Sequence, residues 1–148
     1  MYLAYRGYEA VGLDGSPTAI ERAKAKAEAR GLFVRFVVGN ALELEQLGER
    51  FDTVVDCGLL HVFSDEDRAR LIASIHGVLQ PGGRYHFLCF SDRDPRRSPD
   101  RGPRQLSQEQ IRASFTEGWV VESIVAAQYE TVPASAVAES WLVSVRRL

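Results

Sequence analysis

The sequence has no long apolar run and little net charge. None of its apolar stretches approaches the roughly twenty residues of a membrane-spanning helix, and no secretory signal pattern follows Met1. The formal net charge is -2, so the chain lacks the excess of positive charge that favours binding to nucleic acid or to an anionic membrane. We therefore expect a cytoplasmic protein with no nucleic-acid and no membrane partner.

Cysteine is also scarce, since the chain contains only Cys57 and Cys89. Each lies in an apolar, strand-like run, which is more typical of a buried thiol than of a disulfide framework, and this favours a reducing compartment. The sequence has no Cys-x-x-Cys pair and no histidine at the spacing of a zinc finger. We therefore predict no metal site.

What the sequence does contain is an alternation of strand and helix patterns within one predicted domain, residues 1–148. The predicted strands of this alternation span residues 8–14, 33–38, 51–57 and 84–90. The predicted helices span residues 17–30, 65–79 and 108–115. Ser16 is the predicted N-cap of the first helix, and Ser107 with Gln110 should form a capping box for the last. Two further strands, at 119–128 and 139–146, follow with a connector too short for a crossover helix, so they should pair antiparallel. The pattern predicts the α/β class.

The run at residues 8–14 is apolar and stops on a single acid, Asp14. Such a run suits a strand that is covered on both faces in a parallel sheet. Asp14 would then lie at the sheet edge where open α/β folds bind ligands, and its carboxylate can accept hydrogen bonds from both hydroxyls of a ribose. Taken alone, Asp14 fits equally well as a cap for the turn or for the next helix.

Three further motifs follow Asp14 in order. Asn40 and Ala41 come directly after the second strand, and the apolar strand at 51–57 follows them. The segment at 79–83 reads Leu-Gln-Pro-Gly-Gly and precedes the fourth strand. It should form a tight turn, because proline fixes φ and glycine permits positive φ.

These motifs, in this order, resemble those of the class I S-adenosylmethionine-dependent methyltransferases. The resemblance implies a three-layer α/β sandwich with a mostly parallel, Rossmann-like sheet and a C-terminal antiparallel hairpin. It also implies S-adenosylmethionine as the cofactor and a small molecule as the methyl acceptor.

The resemblance assigns residues to the cofactor site. It implies that Asp14 holds the ribose and that Asn40 and Ala41 meet the adenine. The remaining predicted cofactor-binding residues adjoin strand ends: Gly15, Ser16, Asp56 and Cys57. For Asp56 a contact with the amino group of the cofactor is one interpretation, and a turn carboxylate is the other.

The chain also departs from the family pattern. The family begins with a strand and a glycine-rich loop, whereas this sequence starts inside the helix that follows them. We therefore expect an N-terminally truncated domain in which the first strand is missing. The strands at 8–14 and 51–57 would then have unpaired edges. Either these two strands pair directly with each other or a second copy fills the gap, and we expect self-association into a homo-oligomer.

His61 is the predicted catalytic base. It lies in the loop after the strand at 51–57, and an unperturbed histidine titrates near neutral pH. The alternative is a structural histidine that bonds to the backbone or caps the helix that starts near Ser64.

An arginine-rich segment follows the fourth strand. Its arginines, which would clamp an acidic acceptor or simply line a solvated loop, are Arg93, Arg96, Arg97, Arg101 and Arg104.

Two other functions compete with methyl transfer. An acid after the second strand of a Rossmann fold also suits a nicotinamide-dependent oxidoreductase. A degenerate, non-catalytic domain kept for association is the other alternative, because the glycine-rich loop is missing.

Overall fold

The computed structural model of the chain describes residues 1–95, 103–130 and 137–148. The helices α1–α4 span Tyr2–Tyr5, Pro17–Glu28, Asp65–Val78 and Gln108–Ser114. The strands β1–β6 span Val11–Asp14, Arg35–Val38, Phe51–Cys57, Leu79–Phe90, Trp119–Glu130 and Val137–Arg147. Two 3-10 segments span Ala41–Leu47 and Leu60–Val62. Of the helices in these ranges, none has the length and apolar character needed to cross a membrane.

The chain divides into two compact units, Met1–Gln46 and Leu47–Leu148. In the first unit β1 and β2 pair in parallel, and α2 connects them. This helix starts where the sequence predicts, because the Ser16 hydroxyl accepts a hydrogen bond from the Ala19 N–H at 3.3 Å and proline occupies the first turn. The single domain over residues 1–148 stays a prediction.

The second unit holds a four-stranded sheet in the order β3-β4-β6-β5. β3 pairs with β4 in parallel, whereas β6 pairs antiparallel with both β4 and β5. The predicted α/β class with a C-terminal antiparallel hairpin is therefore confirmed. The connector of the hairpin, including Pro133, lies outside the described residues.

The core of this second unit combines buried side chains of α3, α4, β4 and β6. The Phe115 ring stacks on Phe87 with ring centroids 5.6 Å apart, and Leu71 of α3 is buried. The capping box predicted for α4 is confirmed, since the Ser107 hydroxyl accepts from the Gln110 N–H while the Gln110 side chain accepts from the Ser107 N–H.

Several predicted boundaries were wrong by one or two residues, and two others by more than two residues. β1 begins at Val11 rather than at residue 8, because the ladder with β2 begins there and the Tyr8 side chain is 66% exposed.

β4 begins at Leu79 rather than at residue 84, because Leu79 already pairs with Phe51. The next pair is Thr53↔Arg84, so the residues between Leu79 and Arg84 leave the ladder, and Gly82 has the positive φ, 79°, that suits the predicted tight turn.

Four of the six described strands are paired along one edge only: β1, β2, β3 and β5. Among the described strands, β1 pairs with β2 alone and β3 pairs with β4 alone. An open edge presents unpaired backbone groups, which is what the sequence predicts for strands that adjoin a missing one.

Candidate functional site

Asp14 ends β1 as an exposed residue. Its Oδ1 accepts a hydrogen bond from the Ser16 N–H at 2.8 Å, which forms the turn into α2. No donor in residues 1–95, 103–130 or 137–148 bonds to Oδ2, so the acid can shape the turn and still accept a further hydrogen bond. Gly15 follows Asp14 in this turn, and a Cβ there would make only an ordinary contact, 3.8 Å from the Gly39 carbonyl oxygen.

Asn40 lies beside Asp14, at the carboxyl end of the neighbouring strand. Asp14 pairs with Val38, and the Gly39 N–H donates to the Asp14 carbonyl oxygen at 3.1 Å. The Asn40 Oδ1 accepts from the Leu42 N–H at 3.0 Å and so begins the 3-10 segment that contains Ala41. The side chain itself is exposed. The first unit therefore brings all five predicted residues of its strand ends together: Asp14, Gly15, Ser16, Asn40 and Ala41.

Asp56 near the end of β3 has a different environment. Its Oδ1 accepts from the Leu59 N–H at 2.7 Å. Its Oδ2 accepts from the Leu60 N–H at 2.9 Å and from the Tyr85 hydroxyl at 2.8 Å. Burial raises the pKa of the Asp56 carboxyl, and these hydrogen bonds only partly offset that effect. The carboxylate therefore holds the turn after β3, and its contact with a cofactor amino group stays a prediction.

His61 is buried in the turn Leu60–Val62, where it is 2% exposed. Its Nδ1 accepts from the Phe90 N–H at 2.9 Å, and its ring stacks on Phe90 with centroids 4.2 Å apart. In the neutral ring this arrangement puts the proton on Nε2. These contacts favour the structural interpretation, while catalysis by His61 stays a prediction.

Cys57 is exposed, which corrects the prediction that both cysteines are buried, whereas Cys89 is buried as expected. Burial raises the pKa of the Cys89 thiol to about 12, which leaves it almost entirely protonated at neutral pH. The Cys57 thiol interacts with the Tyr129 hydroxyl and helps to raise the pKa of Tyr129. Sequence reasoning missed Tyr129, because nothing in the pattern of β5 distinguishes it from any other strand aromatic.

The arginine-rich segment is only partly described. The Arg93 guanidinium lies over the Trp141 ring, 4.8 Å from its centroid. The Arg104 Nη1 lies 2.7 Å from Asp65 Oδ1, which also pairs with Arg68. The other three arginines of the predicted clamp lie outside the described residues: Arg96, Arg97 and Arg101. Clamping of an acidic acceptor stays a prediction.

Comparisons with known proteins agree with this arrangement. A family profile described as a methyltransferase domain matches residues 1–83. A 2-heptyl-1-hydroxyquinolin-4(1H)-one methyltransferase of Mycobacteroides abscessus is 37% identical over 125 residues, which cover 84% of this chain and 55% of that protein. A demethylmenaquinone methyltransferase of Thermus thermophilus is 40% identical over 84 residues, covering 57% of this chain and 37% of that protein.

A solved structure from work on the conversion of a disulfide bond into a thioacetal group during echinomycin biosynthesis is also similar. It is 36% identical in sequence and superimposes with a TM-score of 0.86. The match covers 99% of this chain and 69% of the chain in that structure. The chain thus spans about half, or less, of the two curated relatives. These similarities decide against the oxidoreductase alternative, and the chain belongs to the methyltransferase-domain family.

Proposed function

We propose that the chain carries the nucleoside-binding half of an S-adenosylmethionine-dependent methyltransferase that acts on a small-molecule acceptor. One observation carries this proposal: two exposed polar side chains, Asp14 and Asn40, both lie at the carboxyl ends of adjacent parallel strands. Ligands of open α/β sheets bind at such an edge.

The residues of this edge fit the cofactor. The Asp14 carboxylate has Oδ2 available to accept hydrogen bonds from ribose hydroxyls, and Asp14 is already oriented by the Ser16 N–H. We assign the adenine to Asn40 and Ala41, with Gly15 and Ser16 lining the ribose side. Asp56 and Cys57 remain assigned to the cofactor as a prediction from the end of β3.

The bound cofactor supplies an electrophilic methyl group on a sulfonium, which is a good leaving group. The contribution of the protein is therefore chiefly orientation, since aligning the reacting atoms can lower the barrier by several kcal/mol. The His61 ring is held in place by Phe90, so His61 is better suited to shape the turn than to move freely toward a proton.

The acceptor is proposed as a small organic molecule. The relatives named above are methyltransferases whose names refer to a hydroxyquinolinone and to demethylmenaquinone. Since the chain spans only part of those proteins, their substrates are starting points for this one. The two free cysteines, one of them exposed, support a reducing compartment such as the cytoplasm.

Calorimetry with S-adenosylmethionine tests the cofactor assignment. We expect Asp14→Ala to weaken binding at least tenfold, which corresponds to about 1.4 kcal/mol. Glu21→Ala is the matched control, because Glu21 is an exposed carboxylate in α2 of the same unit and lies outside the proposed site. Binding that survives Asp14→Ala would contradict the assignment.

Release of S-adenosylhomocysteine in the presence of 2-heptyl-1-hydroxyquinolin-4(1H)-one tests catalysis. Cofactor binding without any turnover, for this and other aromatic hydroxyl acceptors, would favour the non-catalytic alternative.

We also propose that the open edges of β1 and β3 promote association with a second copy of the chain. Supporting this, each of these strands is paired on one side only within the described residues. Unpaired backbone groups along an apolar strand favour pairing with another chain. Light scattering across micromolar concentrations should reveal a dimer or larger species, whereas a monomer throughout would contradict this part of the proposal.

A further inference from the structure

The β5–β6 hairpin extends beyond the rest of its sheet. The last pair between β4 and β6 joins Phe90 to Ser140. Three more pairs between β5 and β6 continue past it: Gln128↔Glu139, Tyr129↔Ala138 and Glu130↔Val137. They lie beyond the carboxyl end of β4, the strand that runs parallel to β3. The hairpin therefore projects past the sheet edge at which β3 ends.

Because the hairpin projects in this way, the Tyr129 side chain lies at the end of β3. A Cβ added at Gly58 would lie 3.0 Å from the Tyr129 hydroxyl oxygen and 3.2 Å from its Cε2. The Tyr129 ring also meets the Phe90 ring edge to face, with centroids 5.3 Å apart. Although β5 and β3 are the two outer strands of the sheet, these contacts hold a β5 aromatic at the turn that follows β3.

Gly58 allows this close approach. Its φ is 88°, a conformation that L side chains rarely adopt, and the space where a Cβ would lie is bordered by the tyrosine. The Cys57 thiol, which precedes Gly58, interacts with the Tyr129 hydroxyl. The position of the ring is thus set by packing on Gly58 and on Phe90.

The outward side chains of the same turn are apolar. Leu59 is 39% exposed and Val62 is 57% exposed, whereas Leu60 and His61 between them are buried. Tyr129 is itself partly exposed. A short 3-10 turn with two exposed aliphatic side chains, next to an ordered aromatic ring, is a surface suited to a flat apolar ligand.

The Tyr129 hydroxyl is poorly suited to act as a base. Desolvation raises the pKa of Tyr129, and the Cys57 thiol and the Asp56 carboxylate raise it further. The phenol therefore stays protonated at neutral pH and can orient a ligand or donate a hydrogen bond, but it does not abstract a proton.

We propose that Tyr129 is a specificity-determining residue that contacts the methyl acceptor, and that its ring, with Leu59 and Val62, receives an aromatic ring of that acceptor. This inference rests on the proposed function, because it names the acceptor class of the same site. The inference is tested by ligand binding, so it can be refuted or supported independently of methyl transfer.

Alkylation of Cys57 by iodoacetamide provides that readout. Cys57 is exposed and touches Tyr129 through its thiol, whereas the buried Cys89 thiol, with its pKa near 12, should stay unmodified. We expect 1-naphthol, used as the aromatic probe, to slow Cys57 alkylation in the full chain at least fivefold. Cyclohexanol, which has a hydroxyl but no aromatic ring, should slow it less than twofold.

Three variants sharpen the test. Tyr129→Leu should abolish protection by 1-naphthol, and Tyr129→Phe should keep it, because the ring and not the hydroxyl makes the proposed contact. Gln128→Leu, one residue earlier on the same strand, should behave like the unchanged protein. Protection is compared as the ratio of rates with and without 1-naphthol, so an altered intrinsic reactivity of Cys57 cancels.

A further variant covers the case in which Tyr129→Leu does not fold. Val62→Asp changes an exposed side chain, so it should leave the melting temperature nearly unchanged while reducing protection at least fivefold. Absence of protection in the unchanged protein, or equal protection in Tyr129→Leu or Val62→Asp, would overturn the inference. Protection without any methyl transfer would refute the proposed function alone, and methyl transfer without protection would refute this inference alone.

Discussion

Asp14 and Asp56 are two acidic residues near the carboxyl ends of two parallel-paired strands, yet the structure uses them differently. Asp14 is exposed and orients only one N–H, that of Ser16. Asp56 accepts from two backbone N–H groups and from the Tyr85 hydroxyl. One carboxylate is left available to a ligand, whereas both oxygens of the other are occupied by the protein.

The difference shows that position on a strand does not by itself define a binding residue. Both acids have the placement that open α/β sheets use for ligands. What separates them is the number of donors that already bond to each carboxylate, because a hydrogen bond inside the protein uses the capacity that a ligand would need. Variants of the two residues should therefore affect different properties.

The largest effect on stability should come from Asp56→Ala. Truncation removes the acceptor for the Leu59 and Leu60 N–H groups and for the Tyr85 hydroxyl, and unsatisfied buried groups cost about 1–3 kcal/mol each. Relief from burying the charge offsets part of this. We expect a net loss of about 2 kcal/mol in the free energy of unfolding, measured by urea denaturation.

Asp14→Ala is the matched comparison for that measurement. Because Asp14 is exposed and bonds to one N–H, its removal should change the free energy of unfolding by no more than about 0.5 kcal/mol. Equal losses from the two variants would remove the distinction between a structural acid and a binding acid.

Sequence reasoning recovered the features that depend on local chemistry. It placed both ends of β3 correctly and found the N-cap of α2 at Ser16 and the capping box of α4. These features depend on residues a few positions apart, whose side chains meet whatever the rest of the fold does.

The sequence could not reveal contacts between distant segments. Tyr129 meets Gly58 only because β5 and β6 extend beyond β4, and the lengths of these strands depend on pairing. The role of Asp56 likewise depends on Tyr85, which lies 29 residues along the chain. For the same reason β1 is shorter than predicted, since its ladder with β2 sets where it begins.

Tyr85→Phe isolates one of the three bonds to Asp56. The Tyr85 side chain is fully buried, and phenylalanine keeps its ring while removing the hydroxyl that donates to Asp56 Oδ2. We expect a loss of about 1 kcal/mol in the free energy of unfolding, half or less of the loss from Asp56→Ala. A change near zero would indicate that the two backbone donors alone hold this carboxylate.

The pH dependence of stability should report the raised pKa of the Asp56 carboxyl. Burial raises the pKa of Asp56 in the folded chain above the ordinary value of 3.8, so the folded state binds this proton more tightly than the unfolded state does. The corresponding stabilisation is fully present below pH 3.8 and is lost as the pH rises through the folded pKa.

Asp56→Asn removes this titration while keeping the size of the side chain. On lowering the pH from 7 toward 4, the unchanged protein should therefore gain stability relative to the Asp56→Asn variant, as read from melting temperatures. A constant difference between the unchanged protein and Asp56→Asn would contradict a raised pKa at Asp56.

The smallest effect should come from Glu122, an acid held by charges on the sheet surface. Its Oε2 lies 2.9 Å from the Arg84 Nε, and its Oε1 lies 3.0 Å from the Arg146 Nε. The hydrogen bond from Arg84 is the main cause that lowers the pKa of Glu122, so this stabilisation is present at neutral pH and is lost as the pH falls through the lowered pKa.

Glu122→Gln should destabilise the chain by less than Tyr85→Phe does, because water screens charges at the surface. The loss arises partly from repulsion, since Arg84 and Arg146 are directly paired across β4 and β6 and Glu122 is bonded to both. In about 1 M salt, where the screening length is about 3 Å, the difference in melting temperature between Glu122→Gln and the unchanged protein should shrink. The loss from Asp56→Ala should persist in the same salt, because it comes mainly from the buried Tyr85 hydroxyl and the N–H of the buried Leu60, which would be left without an acceptor. If both losses responded to salt alike, Asp56 would be a surface charge like Glu122, and its contrast with Asp14 would need another cause.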